Sequence, residues 1–152
     1  MGHVAMKRLA ILIMSFGVFI TITRAQSPEP VKGIHFFTGS YQAALQKAQA
    51  EHKPVFINIY ATWCAPCTLL ESVVFTNKKV GIYYDAHFIC LSLDGEQGEG
   101  AQLAQDFGIQ GYPSLIYLNK TGTTMIYEAG YRGPRAFIKT GAGAFARLVN
   151  AE

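Results

Sequence analysis

The stretch Val55-Phe-Ile-Asn-Ile-Tyr-Ala-Thr-Trp-Cys-Ala-Pro-Cys67 decides both the fold and the chemistry of this chain. Its first half, Val55 to Tyr60, is a short apolar run rich in β-branched and aromatic residues, which is typical of a buried central strand. A helix is predicted to begin just after Cys64, because Pro66 is tolerated in a first turn, where its missing N–H would have no partner. The two cysteines therefore lie where a strand passes into a helix.

Two cysteines separated by two residues can bind a metal, form a structural staple or cycle between dithiol and disulfide. A structural zinc site needs four ligands. The chain has no second pair of this kind, and His35, His52 and His87 are far apart in sequence, so we predict no metal. A staple that closes so small a loop restricts the unfolded chain little. Redox cycling is the favoured chemistry, and an inert pair is the alternative.

The position of the pair predicts a division of labour between the cysteines. Unpaired N–H groups and the dipole at a helix N-terminus stabilise an anion, and such sites lower a cysteine pKa from about 8.5 to roughly 3.5–7.5. Because the thiolate is the attacking species, we expect Cys64 to be exposed and to attack a substrate disulfide. Cys67, about one turn inside the helix, is expected to be more buried and to resolve the mixed disulfide.

The remaining segments alternate between strand and helix patterns, which favours an α/β fold with a parallel sheet and an antiparallel hairpin at its edge. The chain shows no repeat and no second domain. The predicted segments are an edge strand at 34–37, a helix around 41–48, strand 55–60, a helix after Cys64, a helix at 78–84, strand 88–93, a loop at 94–100, a helix at 101–107, strands 114–118 and 123–128 joined at 119–122, and a helix at 137–148.

The N-terminal segment has the pattern of a secretory signal. Lys7-Arg8 precedes an apolar stretch, Leu9 to Ile22, and a small-x-small site ends at Ala25. We expect a signal peptide over residues 1–25 with cleavage after Ala25, a short leader over 26–33 and one domain over 34–152. An uncleaved anchor is the alternative, although the apolar run is short for a membrane span. Both readings place the domain outside the cytoplasm, in a periplasmic or secreted location.

Composition excludes disorder and nucleic-acid binding. Half of the residues are hydrophobic and 15% are charged, unlike a disordered chain. The net charge is +3, but three of the 13 basic residues, Lys7, Arg8 and Arg24, lie in the predicted signal, whereas all 10 acidic residues follow it. The expected mature chain is therefore formally neutral and has no basic stripe for nucleic acid.

Two motifs, Trp63-Cys-Ala-Pro-Cys67 and Phe107-Gly-Ile-Gln-Gly-Tyr-Pro113, resemble the thioredoxin superfamily in order and spacing, over about residues 35–149. The resemblance implies a thioredoxin fold, with a central mixed sheet flanked by helices on both faces. It also implies a disulfide-exchange activity on proteins that needs no cofactor. Pro113 is then expected to be cis and to face the cysteines, while Tyr112 offers backbone groups to an extended substrate segment. The predicted substrate-contacting residues are Trp63, Ala65, Pro66, Tyr112 and Pro113.

One departure from the family concerns proton transfer. Thioredoxins proper carry a buried Asp six residues before the first cysteine, and here that position is Asn58, which cannot titrate. Glu71 lies seven residues after Cys64 and four after Cys67, so all three share one helix face. We predict Glu71 as a third catalytic residue, with a solvated surface residue as the alternative. The C-terminal periplasmic domain of transmembrane disulfide reductases is similar here, including the acidic residue at this position.

The direction of exchange is predicted from Pro66, which matches reducing pairs better than oxidising ones. We expect a monomeric reductase that receives electrons from a membrane partner. The alternatives are an oxidase or isomerase and, in a different class, a redox-silent binding module. Cys90, in the strand at 88–93, is expected to fill the core, with a redox role as the alternative.

Overall fold

The computed structural model describes residues 32–123 and 125–150. The predicted signal peptide and most of the predicted leader lie outside the described residues. In chain order the elements are α1 (Tyr41–Glu51), β1 (Val55–Tyr60), α2 (Ala65–Leu69), a π-helical segment (Leu70–Phe75), α3 (Lys78–His87), β2 (Ile89–Asp94), α4 (Gly98–Asp106), β3 (Ser114–Leu118), β4 (Met125–Ala129) and α5 (Pro134–Val149).

Side-chain caps define where two of these helices begin. Ser40 precedes α1 and its hydroxyl accepts the N–H of Ala43. Asn77 precedes α3 and its Oδ1 accepts the N–H groups of Lys79 and Val80. Both caps satisfy N–H groups that have no partner within their own helix.

The four strands form one mixed sheet in the order β2-β1-β3-β4. Strand β1 runs parallel to β2 and antiparallel to β3, and β4 pairs antiparallel with β3. The central strand β1 therefore carries the chain directly from the middle of the sheet to the cysteine pair. Its register places Asn58 beside Ser92 of β2 and beside Leu115 of β3.

Helices cover both faces of the sheet, as predicted. On one face, α1 and α4 pack on alternate residues of β1 such as Ile57 and Ile59. On the other face, the π-helical segment, α3 and α5 pack around Phe56, and the rings of Tyr84 and Phe137 stack there with centroids 4.6 Å apart. The thioredoxin fold expected from the two motifs is the fold observed.

The structure corrects three of the predicted elements. The segment at 34–37 is not a strand, because its sheet contact is a single bridge from Phe36 to Cys90. The loop predicted over 94–100 is shorter, since α4 already begins at Gly98. The helix after Cys64 changes to π-helical pairing at Leu70. Within the described residues, no helix is long and apolar enough to cross a membrane.

Candidate active site

Cys64 and Cys67 form a disulfide at the start of α2, with their Cα atoms 5.3 Å apart. Cys64 is the N-cap residue, and its Sγ accepts the N–H of Cys67 at 3.2 Å. Pro66 lies in the first turn, as predicted from its missing N–H. The backbone thus directs an N–H group of the helix N-terminus at the sulfur of Cys64, which favours a thiolate there after reduction.

The predicted difference in exposure between the two cysteines is absent in this disulfide state. Each is 3% exposed, so the expectation that Cys64 is exposed is wrong for the oxidised pair. The reason is local: the disulfide packs against Ala61, and the rings of Tyr60 and Tyr112 cover this small cluster. Ala65 and Pro66, in contrast, are exposed beside it.

Trp63 is an exposed aromatic side chain next to the pair, with 69% of its surface accessible. Its ring meets Tyr112 edge to face, with centroids 6.0 Å apart. Its indole Nε1 donates to both carboxylate oxygens of Glu96, each at 3.0 Å. An exposed aromatic surface held by a carboxylate therefore adjoins the disulfide.

Tyr112 and Pro113 are joined by a cis peptide bond, as the resemblance implied. The backbone around them is held on two sides, since Ser114 Oγ donates to the carbonyl of Gly111 at 2.7 Å and the N–H of Gly130 donates to the carbonyl of Pro113 at 3.0 Å. Tyr112 lies so close to Gly95 that a Cβ on this glycine would be 2.5 Å from the tyrosine ring. Burial raises the pKa of the Tyr112 hydroxyl, and Glu96 and Asp94 raise it further.

Asn58 lies in the middle of β1 and is 1% exposed. Its Nδ2 donates to Ser92 Oγ at 3.0 Å, while its Oδ1 has no hydrogen-bond partner among the described residues. Leaving a buried acceptor without a partner costs about 1–3 kcal/mol. A neutral amide with one unused acceptor thus takes the place of the ionisable Asp expected from the family.

Glu71 is exposed on the π-helical segment rather than buried beside the cysteines. It lines a cavity of about 280 Å³ together with Lys32, Thr76 and Ser92. Burial raises the pKa of the Tyr60 hydroxyl most, and the nearby charges of Asp94 and Glu71 raise it further. Glu71 is therefore outside the packed cluster of cysteines, although its field extends to the tyrosine that covers them.

Cys90 is a free thiol buried in the core, as expected. Burial raises its pKa well above the ordinary value, so it lacks the thiolate character of a reactive cysteine. Across residues 32–123 and 125–150, no group of three or more His, Cys, Asp or Glu residues could hold a metal ion.

Comparisons with known proteins agree with this geometry. A family model described as thioredoxin-like matches residues 37–120, which is more than half of the chain. The chain belongs to the thioredoxin-like family. A thiol:disulfide interchange protein DsbD of Yersinia pestis is 32% identical over 96 residues, which make up 60% of this chain and 16% of that protein.

Two solved structures extend the comparison for this thioredoxin-like protein. A solution structure from Bacteroides thetaiotaomicron, described as a candidate disulphide-isomerase, is 33% identical with a TM-score of 0.67 and covers 76% of this chain and 96% of its own. The oxidised C-terminal domain of Neisseria meningitidis DsbD is 22% identical, has a TM-score of 0.59 and covers 74% of this chain and 99% of its own. The second likeness concerns the fold alone. The thioredoxin-like protein carries the bonded Cys-x-x-Cys pair of thiol–disulfide oxidoreductases, as the sequence predicted.

Three residues at this site, Glu96, Gly95 and Ser92, were not predicted from the sequence. The glycine-rich composition of the loop was a signal for close backbone approach at Gly95. Nothing local in the sequence identifies Glu96 or Ser92, because their contacts with Trp63 and Asn58 span 33 and 34 residues.

Proposed function

We propose that this protein is an extracytoplasmic thiol–disulfide oxidoreductase that reduces disulfide bonds in other proteins. The observation that carries the proposal is the Cys64–Cys67 disulfide at the N-terminus of α2, with the N–H of Cys67 directed at Cys64 Sγ. In the reduced protein this N–H stabilises the thiolate of Cys64, which makes Cys64 the attacking sulfur.

The reaction proceeds through two exchanges. The Cys64 thiolate attacks one sulfur of a substrate disulfide, a mixed disulfide forms, and the other substrate sulfur leaves as a thiolate. Cys67 then loses its proton and attacks Cys64 Sγ, which closes the Cys64–Cys67 bond and releases the second substrate thiolate. The substrate gains two electrons and the pair loses two, so a donor must reduce the pair before the next cycle.

The substrate surface in this proposal consists of Trp63, Ala65, Pro66, Tyr112 and Pro113. An extended segment of the substrate pairs with the backbone at Tyr112, in the manner of an added strand. Trp63 contributes a large apolar contact next to Cys64, and Ala65 and Pro66 leave the approach to the sulfur free of bulky side chains. The aromatic edge contact between Trp63 and Tyr112 keeps the two halves of this surface together.

Glu71 is proposed as the titratable group that finally accepts the Cys67 proton. Asn58 cannot accept it, and among the described residues Glu71 is the only carboxylate that lines the cavity beneath the helix. Because Glu71 is exposed, it acts over a distance and not by contact with the sulfur. A solvated surface residue without this role is the alternative.

The location and the electron donor complete the proposal. The predicted signal over residues 1–25 directs the domain to the periplasm or the exterior, and a membrane protein supplies the electrons. The DsbD relatives support this setting, although the chain matches only 14–20% of the length of those relatives. N-terminal sequencing of the secreted protein is expected to begin at Gln26; an intact Met1 or Met6 would favour a membrane anchor.

Trapping tests the roles of the two cysteines. Cys67→Ser leaves Cys64 able to attack but removes resolution, so mixed disulfides with partner proteins accumulate in the native compartment. Cys64→Ser traps none. Equal trapping by both variants, or by neither, contradicts the assignment.

The isomerase function deserves a separate test because the Bacteroides relative is described as a candidate isomerase. A reduction potential of about −270 mV supports a reductase, whereas a value of about −180 to −120 mV supports an isomerase or an oxidase. A redox-silent binding module would retain substrate affinity but show no disulfide turnover by the pair.

A further inference from the structure

The loop after β2 carries a carboxylate to the cysteine pair. Strands β1 and β2 run parallel with Tyr60 beside Asp94, and the N–H of Gly95 donates to the Tyr60 carbonyl at 2.7 Å. Because parallel strands end at the same edge of a sheet, the two following segments leave the sheet side by side. The chain after β1 reaches Trp63 and the cysteines, whereas the chain after β2 reaches Glu96. The register of the sheet thus places Glu96 next to the active-site turn.

Contacts of its side chain and its backbone fix Glu96 in this position. Trp63 Nε1 donates to both carboxylate oxygens, each at 3.0 Å, and the Glu96 N–H donates to Asp94 Oδ1 at 2.9 Å. The Glu96 side chain is exposed, so its carboxylate is ionised near neutral pH. No lysine, arginine or histidine of the described residues forms an ion pair with it. Since the indole is neutral, the negative charge of Glu96 is held in place but not compensated.

This charge acts on the surface that covers the cysteines. The ring of Tyr112 packs against the small cluster that contains Cys64 and Cys67. The pKa of its hydroxyl is raised most by burial and further by the charges of Glu96 and Asp94. A substrate side chain that binds beside Tyr112 is therefore exposed to the same negative field.

Trp63 adds a second feature that favours a cation. Its surface is 69% accessible, and its N–H is bound to Glu96, so accessible ring surface lies beside the carboxylate. The face of an indole attracts ammonium and guanidinium groups more strongly than the faces of the other aromatic side chains do. A lysine or arginine side chain can thus bind here by its charge to the carboxylate and by contact with the ring.

We propose that Glu96 and Trp63 form a cation-binding subsite next to Cys64, which makes the protein prefer disulfides whose cysteines are flanked by lysine or arginine. The inference rests on the proposed function and deepens it, since it names the class of substrate. A basic side chain of the substrate binds the ring and the carboxylate while the substrate disulfide faces Cys64. The subsite gains and loses no proton or electron, so the two exchanges proceed as already described.

The experiment uses peptides in which a single cysteine is joined by a disulfide to thionitrobenzoate. Attack of reduced Cys64 on the peptide sulfur breaks this bond, forms the mixed disulfide with the peptide and releases the coloured thiolate. Three peptides of equal length carry lysine, glutamine or glutamate on both sides of the cysteine. The ratio of the rate with the lysine peptide to the rate with the glutamate peptide measures the charge preference of the reduced mature protein. This ratio cancels changes in the general reactivity of Cys64.

The variants separate a charge at the subsite from a change in net charge. Glu96→Gln removes the charge but keeps a side-chain oxygen that can accept the Trp63 N–H. Glu99→Gln is the matched control, because Glu99 is an exposed carboxylate in the first turn of α4 that accepts the N–H of Tyr41 instead. Trp63→Leu keeps an apolar side chain but removes the ring.

The wild-type protein is expected to react faster with the lysine peptide than with the glutamate peptide. Glu96→Gln is expected to lower the ratio about fivefold, which is the size of an exposed charge contact. Trp63→Leu is expected to lower it about threefold through loss of the cation–π contact, and Glu99→Gln to change it less than twofold. In about 0.5 M sodium chloride the wild-type ratio should approach that of Glu96→Gln, because salt screens exposed charges.

Equal ratios for the wild type and Glu96→Gln overturn the subsite, and so do equal decreases for Glu96→Gln and Glu99→Gln. A wild-type ratio that does not change with salt also overturns it, and this measurement needs no variant. A wild-type protein that releases no thionitrobenzoate from any of the three peptides would instead refute the proposed function, so the two failures are distinguishable.

Discussion

Asn58→Asp restores the buried carboxyl that the family carries at this position, and we expect it to make stability strongly dependent on pH. The two side chains have nearly the same shape, so packing around the 1% exposed residue is unchanged. The neighbour in contact is the hydroxyl of Ser92, which can donate one hydrogen bond to the new carboxylate. One such donor does not replace the lost hydration of a charge.

The magnitude follows from burial. Burial raises the pKa of a carboxyl by up to 3–5, and each pKa unit corresponds to about 1.4 kcal/mol. If the pKa of the new carboxyl rises by about three from its ordinary value of about 3.9, the free energy of unfolding of the variant at pH 7 is about 4 kcal/mol below that of the wild type. Below about pH 4 the carboxyl is protonated in both the folded and the unfolded state, so the loss is small there. The deficit grows as the pH rises from the unfolded-state pKa to the folded-state pKa and then remains constant.

Urea unfolding at pH 4, 5.5 and 7 measures this deficit, and Asn77→Asp is the matched control. The control makes the same chemical change at the N-cap of α3, where a carboxylate accepts the same N–H groups and is favoured by the helix dipole. It is expected to be neutral or slightly stabilising at pH 7. A deficit for Asn58→Asp that is equal at all three pH values would refute the claim that a buried charge causes it.

Three further predictions test other parts of the account. Glu71→Gln is expected to slow the attack of Cys67 on the mixed disulfide about 10- to 100-fold near neutral pH, while the initial attack by Cys64 changes little. Stopped-flow decay of the mixed disulfide measures this rate, and identical pH profiles for wild type and variant would mean that Glu71 is only a solvated surface residue. Gly95→Ala places a Cβ 2.5 Å from the Tyr112 ring, so the free energy of unfolding should fall by about 1–3 kcal/mol and disulfide exchange with protein substrates should slow. A structure of the variant in which Tyr112 has not moved would contradict this. Tyr84→Phe removes the hydroxyl that forms hydrogen bonds with Tyr117 Oη at 2.8 Å and with the Phe137 carbonyl at 3.0 Å. Urea unfolding should show that the free energy of unfolding falls by about 1–3 kcal/mol. An unchanged urea midpoint would mean that these buried hydrogen bonds do not contribute to stability.

The parts of the molecule that depend on local sequence were predictable. The apolar run of β1, the helix that begins at Ala65 and the fold implied by two motifs were all found in the structure. In each case the deciding signal lies within a few residues: side-chain type, a proline in a first turn, or a short motif with fixed spacing.

Features that depend on pairing between distant segments were not predictable in this way. The contact of Asn58 with Ser92 exists because β1 and β2 run parallel in one particular register, which no local pattern specifies. The exposure of Glu71 was not predictable for a related reason: an i, i+3 and i+7 argument assumes a regular α-helix, whereas the helix becomes π-helical from Leu70. The exposure of Cys64 likewise depends on Tyr112, which comes from a remote loop.

The central claim is that the Cys64–Cys67 pair exchanges disulfides with proteins, and insulin reduction by dithiothreitol tests it most directly. The mature wild-type protein at micromolar concentration is expected to accelerate precipitation of the insulin B chain well above the uncatalysed rate. Cys64→Ser is expected to abolish the acceleration, and a Cys90→Ala variant to retain it. Precipitation at the uncatalysed rate in the wild type, or acceleration that persists without Cys64, would contradict the account.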